Sequence, residues 1–348
     1  MPVERGSIIK ILLYEFASSG GISGGREAGV SESILREGAA MMTALAADFS
    51  ALGGIDVLAM VDGCAKPLAA GCRVLPVKSP EEEFAILSKE SRTADWTIVV
   101  APEFDDLLRS RCRLVEESGG RLLGPSASLV SLAADKHRTA EHLRAAGLTV
   151  PRGSAISAGA SLPAGIRFPA VIKPRLGAGS QGVRLVLDDS AAARYLDEFP
   201  GPARAEEFCP GIAASVAFFC GPNGCFALPA CRQRLSDDGA FCYLGGALPL
   251  EPALAHRATT LAARAVATLP NPLGYVGVDL VLGDAPNGQD DIVIEINPRL
   301  TTSYVGLRAL ARENLAAAML DMACGRAPRL SFADRQLEFD SDGTIREA

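Results

Sequence analysis

Through the first third of the chain, short apolar runs alternate with longer stretches in which apolar and polar positions repeat at helical spacing. Ile8 to Leu13, Ile55 to Met60 and Trp96 to Ala101 are of the first kind; Ser33 to Phe49, Glu81 to Ser91 and Phe104 to Glu117 are of the second. Nearly continuous apolar runs fit strands buried on both faces. Their alternation with amphipathic helices predicts βαβ units around a parallel sheet. The first strand runs into a Gly/Ser-rich loop, Ser18 to Gly25. Ligands in open α/β sheets gather at the carboxyl ends of strands, so this loop is expected to border a binding site.

The pattern changes after Ser126. A short helix is expected there, then a second from Asp135 to Ala146, stopped by Gly147 with Pro151 beyond. Strand-like runs at Ala170 to Lys173, Val183 to Leu187 and Ala203 to Phe208 surround a glycine-rich turn and a helix from Ser190 to Glu198. From Ala213 the strands come in series, at Ala213 to Cys220, Cys225 to Arg232 and Phe241 to Gly245. A long helix from Glu251 to Thr268, strands at Val276 to Leu282 and Asp291 to Ile296, and a helix from Val305 to Ala323 follow. Serial strands predict an antiparallel sheet and an α+β lobe. The chain thus reads as an α/β domain over residues 1–125, a central lobe over 126–206 and a C-terminal lobe over 207–348. The tail beyond Arg326 is polar, with Phe332 and Phe339 as its hints of packing.

Composition narrows the chemistry. A chain of 348 residues is long enough for two or three lobes with real cores, and its formal charge of -7 goes with no clustered Lys and Arg that would bind a nucleic acid. The nine cysteines, among them Cys64 and Cys209, include no CxxC pair, and they read as buried thiols of a reducing cytoplasm. With three histidines, His137, His142 and His256, an imidazole-built zinc site is not expected, so any metal is bound by oxygen. The run from Ile8 to Phe16 is too short for a signal peptide and is cut by Lys10 and Glu15, and no stretch approaches the roughly 18 apolar residues of a membrane span. A soluble, cytoplasmic protein acting on small molecules is the expectation. The apolar helix from Val30 to Ala47, with Met41 and Met42, serves a core or a homodimer face equally well.

Four segments carry candidate chemistry. Asp279 lies on one apolar strand, and Glu295 and Asn297 lie two apart on the next, so the last two face one way while Ile294 and Ile296 enter the core. Such oxygen donors suit Mg²⁺, with Mn²⁺ as a substitute, and Arg299 adds charge for a phosphate. Taken alone, the same residues read equally well as the polar face of an exposed sheet. Lys173 ends a strand and is followed by Gly177, Gly179, Ser180 and Gly182, a turn able to set an ammonium and backbone N–H groups around phosphates; the other reading is a surface lysine before a hairpin. Neither a Walker A ending nor the G-x-G-x-x-G spacing of a dinucleotide site is present. Lys136 follows the helix start at Asp135, and Glu206-Glu207-Phe208-Cys209 ends a strand at a lobe junction, where an adenine can slot against Phe208.

In order, Asp135-Lys136, Val171-Ile-Lys-Pro174, Gly177 to Gly182, Glu206-Glu-Phe-x-x-Gly211, Gly277-x-Asp279 and Glu295-Ile-Asn-Pro-Arg299 resemble the ATP-grasp superfamily over Ser126 to Ala323. The resemblance implies α/β and α+β parts, with ATP held between two α+β lobes and a parallel-sheet companion domain in front. It implies that Lys136 and Lys173 bind ATP phosphates under the glycine loop, that Glu206 reads the adenine amino group, and that Glu207, Phe208 and Cys209 line the nucleotide. Asp279, Glu295 and Asn297 are implied to hold Mg²⁺, and Arg299 to act on the transferring phosphoryl group with Lys173. One departure is Ala213, where many members carry a ribose-binding Glu.

A narrower similarity rests on Tyr14-Glu-Phe16, Leu35-Arg-Glu-Gly38 with Met41 and Met42, Ala47-Asp-Phe49, and Asn297-Pro-Arg-Leu-Thr-Thr-Ser-Tyr304. It is to the tyramine-glutamate ligase family of methanofuran-type cofactor synthesis, and it implies an amide formed from the γ-carboxylate of glutamate and tyramine or a tyrosine-like amine. Substrate candidates are Arg232 for a carboxylate, against a turn-flanking surface arginine; Glu15 for the amine's charge, against a loop-stabilising carboxylate; and Thr301, Thr302 and Ser303 by adjacency to Arg299. The other readings are a D-alanine-D-alanine-like or dipeptide ligase, disfavoured because Gly277 stands where those carry Arg, and a nucleotide-binding regulator without turnover.

Overall fold

The computed structural model describes residues 8–22, 30–63, 68, 71–199 and 201–347; Gly24, Gly25 and Cys64, singled out above, lie outside them. The N-terminal part is a four-stranded sheet of β1 (Ile9–Glu15), β2 (Ile55–Asp62), β3 (Cys72–Val77) and β4 (Trp96–Val100), ordered β3-β2-β1-β4 and parallel throughout. Helices α1 (Glu32–Ser50), α2 (Pro80–Ser91) and α3 (Leu107–Glu117) connect these strands and follow the last of them. Successive residues of β1 feed two cores: Ile11 and Leu13 point to one, Leu12 and Tyr14 to the other. That double burial is why the strand reads as a solid apolar run. β3 was not legible in this way because it is an edge strand, with Arg73, Val74 and Pro76 exposed.

Between the parallel sheet and the later lobes stand α4 (Ala127–Ala133) and α5 (Lys136–Ala145). The central lobe is β5 (Gly153–Ile156), β6 (Ala170–Pro174), β7 (Arg184–Val186), α6 (Asp189–Glu198) and β8 (Ala203–Glu207), an antiparallel sheet in the order β5-β8-β6-β7. Its core is its own, built on Ile156, Ile172, Val186 and Leu196. By contrast, Leu129, Ala140 and Leu143 of α4 and α5 join a core with Leu261, Val278 and Ile296 of the following lobe. The residues before Pro151 therefore pack on the large sheet, although the sequence groups them with the central lobe.

The C-terminal part comprises β9 (Ile212–Gly221), β10 (Gly224–Ala227), β11 (Cys231–Leu235), β12 (Tyr243–Leu248), α7 (Pro252–Val266), β13 (Gly274–Leu282), β14 (Ile292–Asn297), α8 (Ser303–Leu310), α9 (Leu315–Ala323), β15 (Leu337–Asp340) and β16 (Ile345–Glu347). They build an eight-stranded sheet ordered β14-β13-β9-β11-β12-β15-β16, with β10 paired to β9. Three expectations change here. The run from Cys225 to Arg232 is two strands, not one. The helix from Val305 to Ala323 is broken, and Asn314 caps the second half by accepting from the Ala317 amide at 3.1 Å. The polar tail adds β15 and β16 to the sheet, and Phe339 is completely buried.

α1 joins the first part to the last. Met41, Met42, Leu45 and Phe49 share a core with Tyr304, Leu307, Met319 and Leu320, so the methionines face the interior. At the helix end, buried Asp48 accepts from Tyr304 Oη at 2.7 Å and from Arg308 at 2.7 and 3.0 Å, while Asn314 donates to the Asp48 carbonyl at 2.8 Å.

Candidate active site

A cavity of about 570 Å³ opens where the central lobe, the large sheet and α1 meet. β13 and β14 supply one wall. Asp279 is directly opposite Glu295, and Gly277 is opposite Asn297. A Cβ at Gly277 would stand 3.1 Å from Thr301 Cγ2 and 3.3 Å from Asn297 Cβ, so the missing side chain makes room for both. The register slips after Asp279, where Leu280 pairs Val293 and Ile294 becomes the extra residue of a bulge. The expected alternation fails there: Ile296 enters the core with Val293, but Ile294 lines the cavity.

The charged groups on this wall are cross-linked. Lys136 Nζ lies 3.0 Å from Glu295 Oε2 and donates to the Gly177 carbonyl at 2.9 Å, bridging the sheet and the glycine loop. Among the described residues no cation pairs with Asp279; Gln233 Nε2 and Asn297 Nδ2 donate to it at 2.9 and 3.0 Å. Burial, then the negative charge of Glu295, pushes the Asp279 carboxyl up to about 7. Burial acts the same way on Glu295 but is outweighed by Lys136 and Lys173, which hold its carboxyl below the ordinary range. For Lys136, burial opposes the charge and Glu295 with Glu103 overcomes it, leaving the ammonium firmly protonated.

Arg299 makes a bidentate pair with buried Glu103, Nε at 2.9 Å and Nη2 at 3.1 Å, and donates to the Leu300 carbonyl. Glu103 follows the carboxyl end of β4, so the N-terminal sheet holds this arginine. The described part of the loop after β1 does not line the cavity. Glu15 accepts from the Ala17 and Ser18 amides at 3.1 and 2.8 Å, behaves as a loop cap, and also lies away from the cavity wall.

At the other wall, Lys173 pairs with Glu206, and Glu206 also accepts from Arg204 Nε at 2.7 Å. Arg204 is wholly buried and donates on to the Pro151 carbonyl at 2.9 Å. Both Glu206 oxygens are therefore engaged without a ligand, and its structural task is to fix Lys173. The resemblance had implied an adenine reader. Glu207, Phe208 and Cys209 line the same end, with Phe208 stacked on Phe241 at 6.0 Å between ring centroids. Burial, then Glu206, pushes the Cys209 thiol up to about 11. Gly177, Gly179 and Ser180 line the cavity; Gly182 does not, and its carbonyl accepts from Tyr195. Ala213 is on the wall too.

Beyond Arg299 the lining turns to hydroxyls. Thr301 Oγ1, Ser303 Oγ and Tyr275 Oη form a triangle with edges of 2.7, 2.8 and 3.0 Å, and Thr302 Oγ1 donates to Glu37 at 3.0 Å. Arg232 reaches the wall exposed, and among the described residues no carboxylate pairs with it. Arg234 is turned to Asp340 and the tail. Arg204, Glu103 and Gln233 are not assigned a role from sequence, and Glu37, which the sequence offers as pairing with neighbours on its own helix, also meets Thr302 of the last lobe. Arg204 and Glu206 alternate with Ala203 and Ala205, so the period of two was the available signal for that pair.

Among the described residues no cluster of three or more His, Cys, Asp or Glu stands ready for a metal. Asp279 and Glu295 face each other with the Asn297 amide alongside, a set of oxygen donors whose mutual carboxyl repulsion, only partly offset by Lys136, a hard cation would remove, which fits Mg²⁺. No helix among the described residues is long and apolar enough to cross a membrane.

Comparison with known proteins agrees with this geometry. Residues 133–303 match the ATP-grasp domain and residues 55–130 the pre-ATP-grasp domain. The chain is 25% identical over 301 residues to the tyramine–L-glutamate ligase of Methanocaldococcus jannaschii, covering 86% of this chain and 84% of that protein. It superposes on an ATP-grasp superfamily protein from Archaeoglobus fulgidus with TM-score 0.68 at 24% identity, over 95% of this chain and 92% of that one. A similar likeness, TM-score 0.70 at 15% identity, over 97% of this chain and 81% of that one, is to N5-carboxyaminoimidazole ribonucleotide synthetase in its ADP complex. The ATP-grasp fold binds ATP, and this chain belongs to the ATP-grasp ligases, with a pre-ATP-grasp domain ahead of the ATP-grasp domain.

Proposed function

We propose that the protein joins a carboxylate to an amine at the expense of ATP, through an acyl-phosphate, and that the pair is the γ-carboxylate of L-glutamate and tyramine or a tyrosine-like amine. The observation that carries this reading is the lining of one cavity. Lys136, Lys173, Arg299 and the carboxylates of β13 and β14 line it together with an apolar slot at Phe208 and the hydroxyls of Thr301 to Ser303. The similarity to the archaeal tyramine–L-glutamate ligase supports the substrate pair and a place in methanofuran-type cofactor assembly. The free thiols among the described residues accord with a cytoplasmic setting.

In this reading the adenine lies against Phe208 and the phosphates between Lys136, Lys173 and the glycine loop. Asp279, Glu295 and Asn297 are the residues that would hold Mg²⁺ or Mn²⁺, which neutralises phosphate charge when bound. A glutamate carboxylate oxygen, oriented by Arg232, takes the γ-phosphoryl group, and ADP leaves. Arg299, held by Glu103, faces the phosphoryl oxygens as they move. The acceptor nitrogen, having lost its ammonium proton to solvent, attacks the acyl carbon as the free amine; the C–O bond breaks, its electron pair leaves with phosphate, and the nitrogen's extra proton passes to that phosphate as the amide forms. Positioning and charge do this work, and no nucleophilic side chain is used. Incubation with ATP, Mg²⁺ and L-glutamate, with tyramine, tyrosine and other amines in turn, should give phosphate and a γ-glutamyl amide by mass spectrometry. ATP binding without amide from any pair would refute the assignment.

A further inference from the structure

The carboxylates on the cavity wall can be accounted for one by one. Glu295 pairs with Lys136, Glu206 with Lys173 and Arg204, and Glu207 with Arg167 at 3.5 Å. Asp279 has amide donors and faces Glu295, where a cation is called for. The remaining one is Glu37 of α1. Its oxygens accept from Ser33 Oγ at 2.8 Å and Thr302 Oγ1 at 3.0 Å, and among the described residues it has no cationic partner. Partly buried carboxylates without a counter-charge are disfavoured, and two neutral hydroxyls orient such a group without neutralising it. Burial pushes the Glu37 carboxyl up; the Ser33 and Thr302 hydroxyls, and after them the more distant charges of Arg299 and Arg36, pull it partly back.

The chain also fixes Glu37 rigidly. The next residue, Gly38, lies against the Glu15 carboxylate so closely that a Cβ there would come within 2.3 Å of Oε1. Eleven residues on, about three helical turns, Asp48 locks the same helix to Tyr304 and Arg308. Helix α1 thus presents one oriented carboxylate, without an ion-pair partner among the described residues, to the pocket formed by Thr301, Ser303 and Tyr243. Along β13, Tyr275 beneath this pocket precedes Asp279, which faces Glu295, and Leu282 farther on pairs with Ile212, close in the chain to Phe208. Rigidly held groups of this kind select charge and position together.

We propose that Glu37 is the binding residue for the acceptor's ammonium group, with Thr302 as its positioning partner. The inference rests on the ligase reading and names the part of the site that chooses a cationic amine. It reassigns to α1 the role that the sequence had offered to Glu15.

The test compares wild-type protein with Glu37→Gln, which keeps the side chain's shape and removes its charge. ATP, Mg²⁺ and L-glutamate are supplied with tyramine, or with whichever amine the wild type joins to glutamate, and in parallel with hydroxylamine, which is largely uncharged at neutral pH and traps an activated acyl group as a hydroxamate. The expected result is a KM for the cationic amine raised at least about tenfold, with the KM for ATP shifted less than about twofold. The ratio of amine-dependent to hydroxylamine-dependent turnover should fall by the same factor. An unchanged amine KM, a parallel rise in both KM values, or loss of both turnovers together would overturn the inference. If wild-type protein forms hydroxamate but no amide with any cationic amine, the inference fails while carboxylate activation stands. If it forms neither product, the ligase reading itself fails.

Discussion

Two sets of charged groups on the cavity wall are handled in opposite ways. Lys136, Lys173 and Arg299 already have partners, Lys136 with Glu295, Lys173 with Glu206, and Arg299 with Glu103. Arg232 and Glu37 have no ion-pair partner among the described residues. In the proposed reading a paired cation is held in place and charged before ATP arrives, at the cost of exchanging one ion-pair partner for another. An unpaired group gains its partner from the substrate, so it discriminates more sharply. The difference teaches that, in this reading, the paired groups serve preorganisation and the unpaired ones selection.

The largest effect expected from breaking this comparison comes among the paired groups. Glu295→Gln removes one carboxylate of the facing pair and the partner of Lys136, and turnover measured by ADP release should drop about 100- to 1000-fold. Arg299→Lys keeps the charge and loses the bidentate hold on Glu103; a fall in turnover of about 10- to 100-fold is expected, with little change in ATP affinity. Arg204→Met separates structure from chemistry. It leaves Glu206 with Lys173 alone and strips a buried donor from Pro151, so urea unfolding should show a loss of about 3 kcal/mol. A variant as stable as wild type would contradict the assigned scaffold role.

Smaller effects lie at the slot. Phe208→Ala should weaken ATP about tenfold by isothermal titration, through lost ring contact. Cys209 gives a pH readout. Its thiol is raised to about 11, so it is protonated at neutral pH, and alkylation at this residue, followed by peptide mass mapping, should speed up about tenfold per pH unit from 7 to 10 and be slowed by ATP. Levelling off above about pH 9 would show an ordinary thiol.

How much of this was legible in the sequence depended on how local each determinant is. β1, β2 and β4 are solid apolar runs, and the Asp279, Glu295 and Asn297 cluster follows from strand periodicity. The bulge at Ile294 did not, since it arises from the register between two strands. Nor did Glu103 or Glu37, whose partners Arg299 and Thr302 are about 200 and 265 positions away in the chain and meet them only through the packing of α1 and β4 on the last lobe. The tail was undervalued because its buried residues, Leu337 and Phe339, are two isolated apolar positions in a polar stretch, while Arg234 and Asp340 secure its edge.

The central claim is that a carboxylate oxygen receives the γ-phosphoryl group. Its most direct test uses L-glutamate labelled with ¹⁸O in its carboxylates, together with ATP, Mg²⁺ and the accepted amine, with the released phosphate followed by mass spectrometry or ³¹P NMR. The account predicts one ¹⁸O atom in each phosphate, matched one for one by amide. Amide formed with unlabelled phosphate would contradict it.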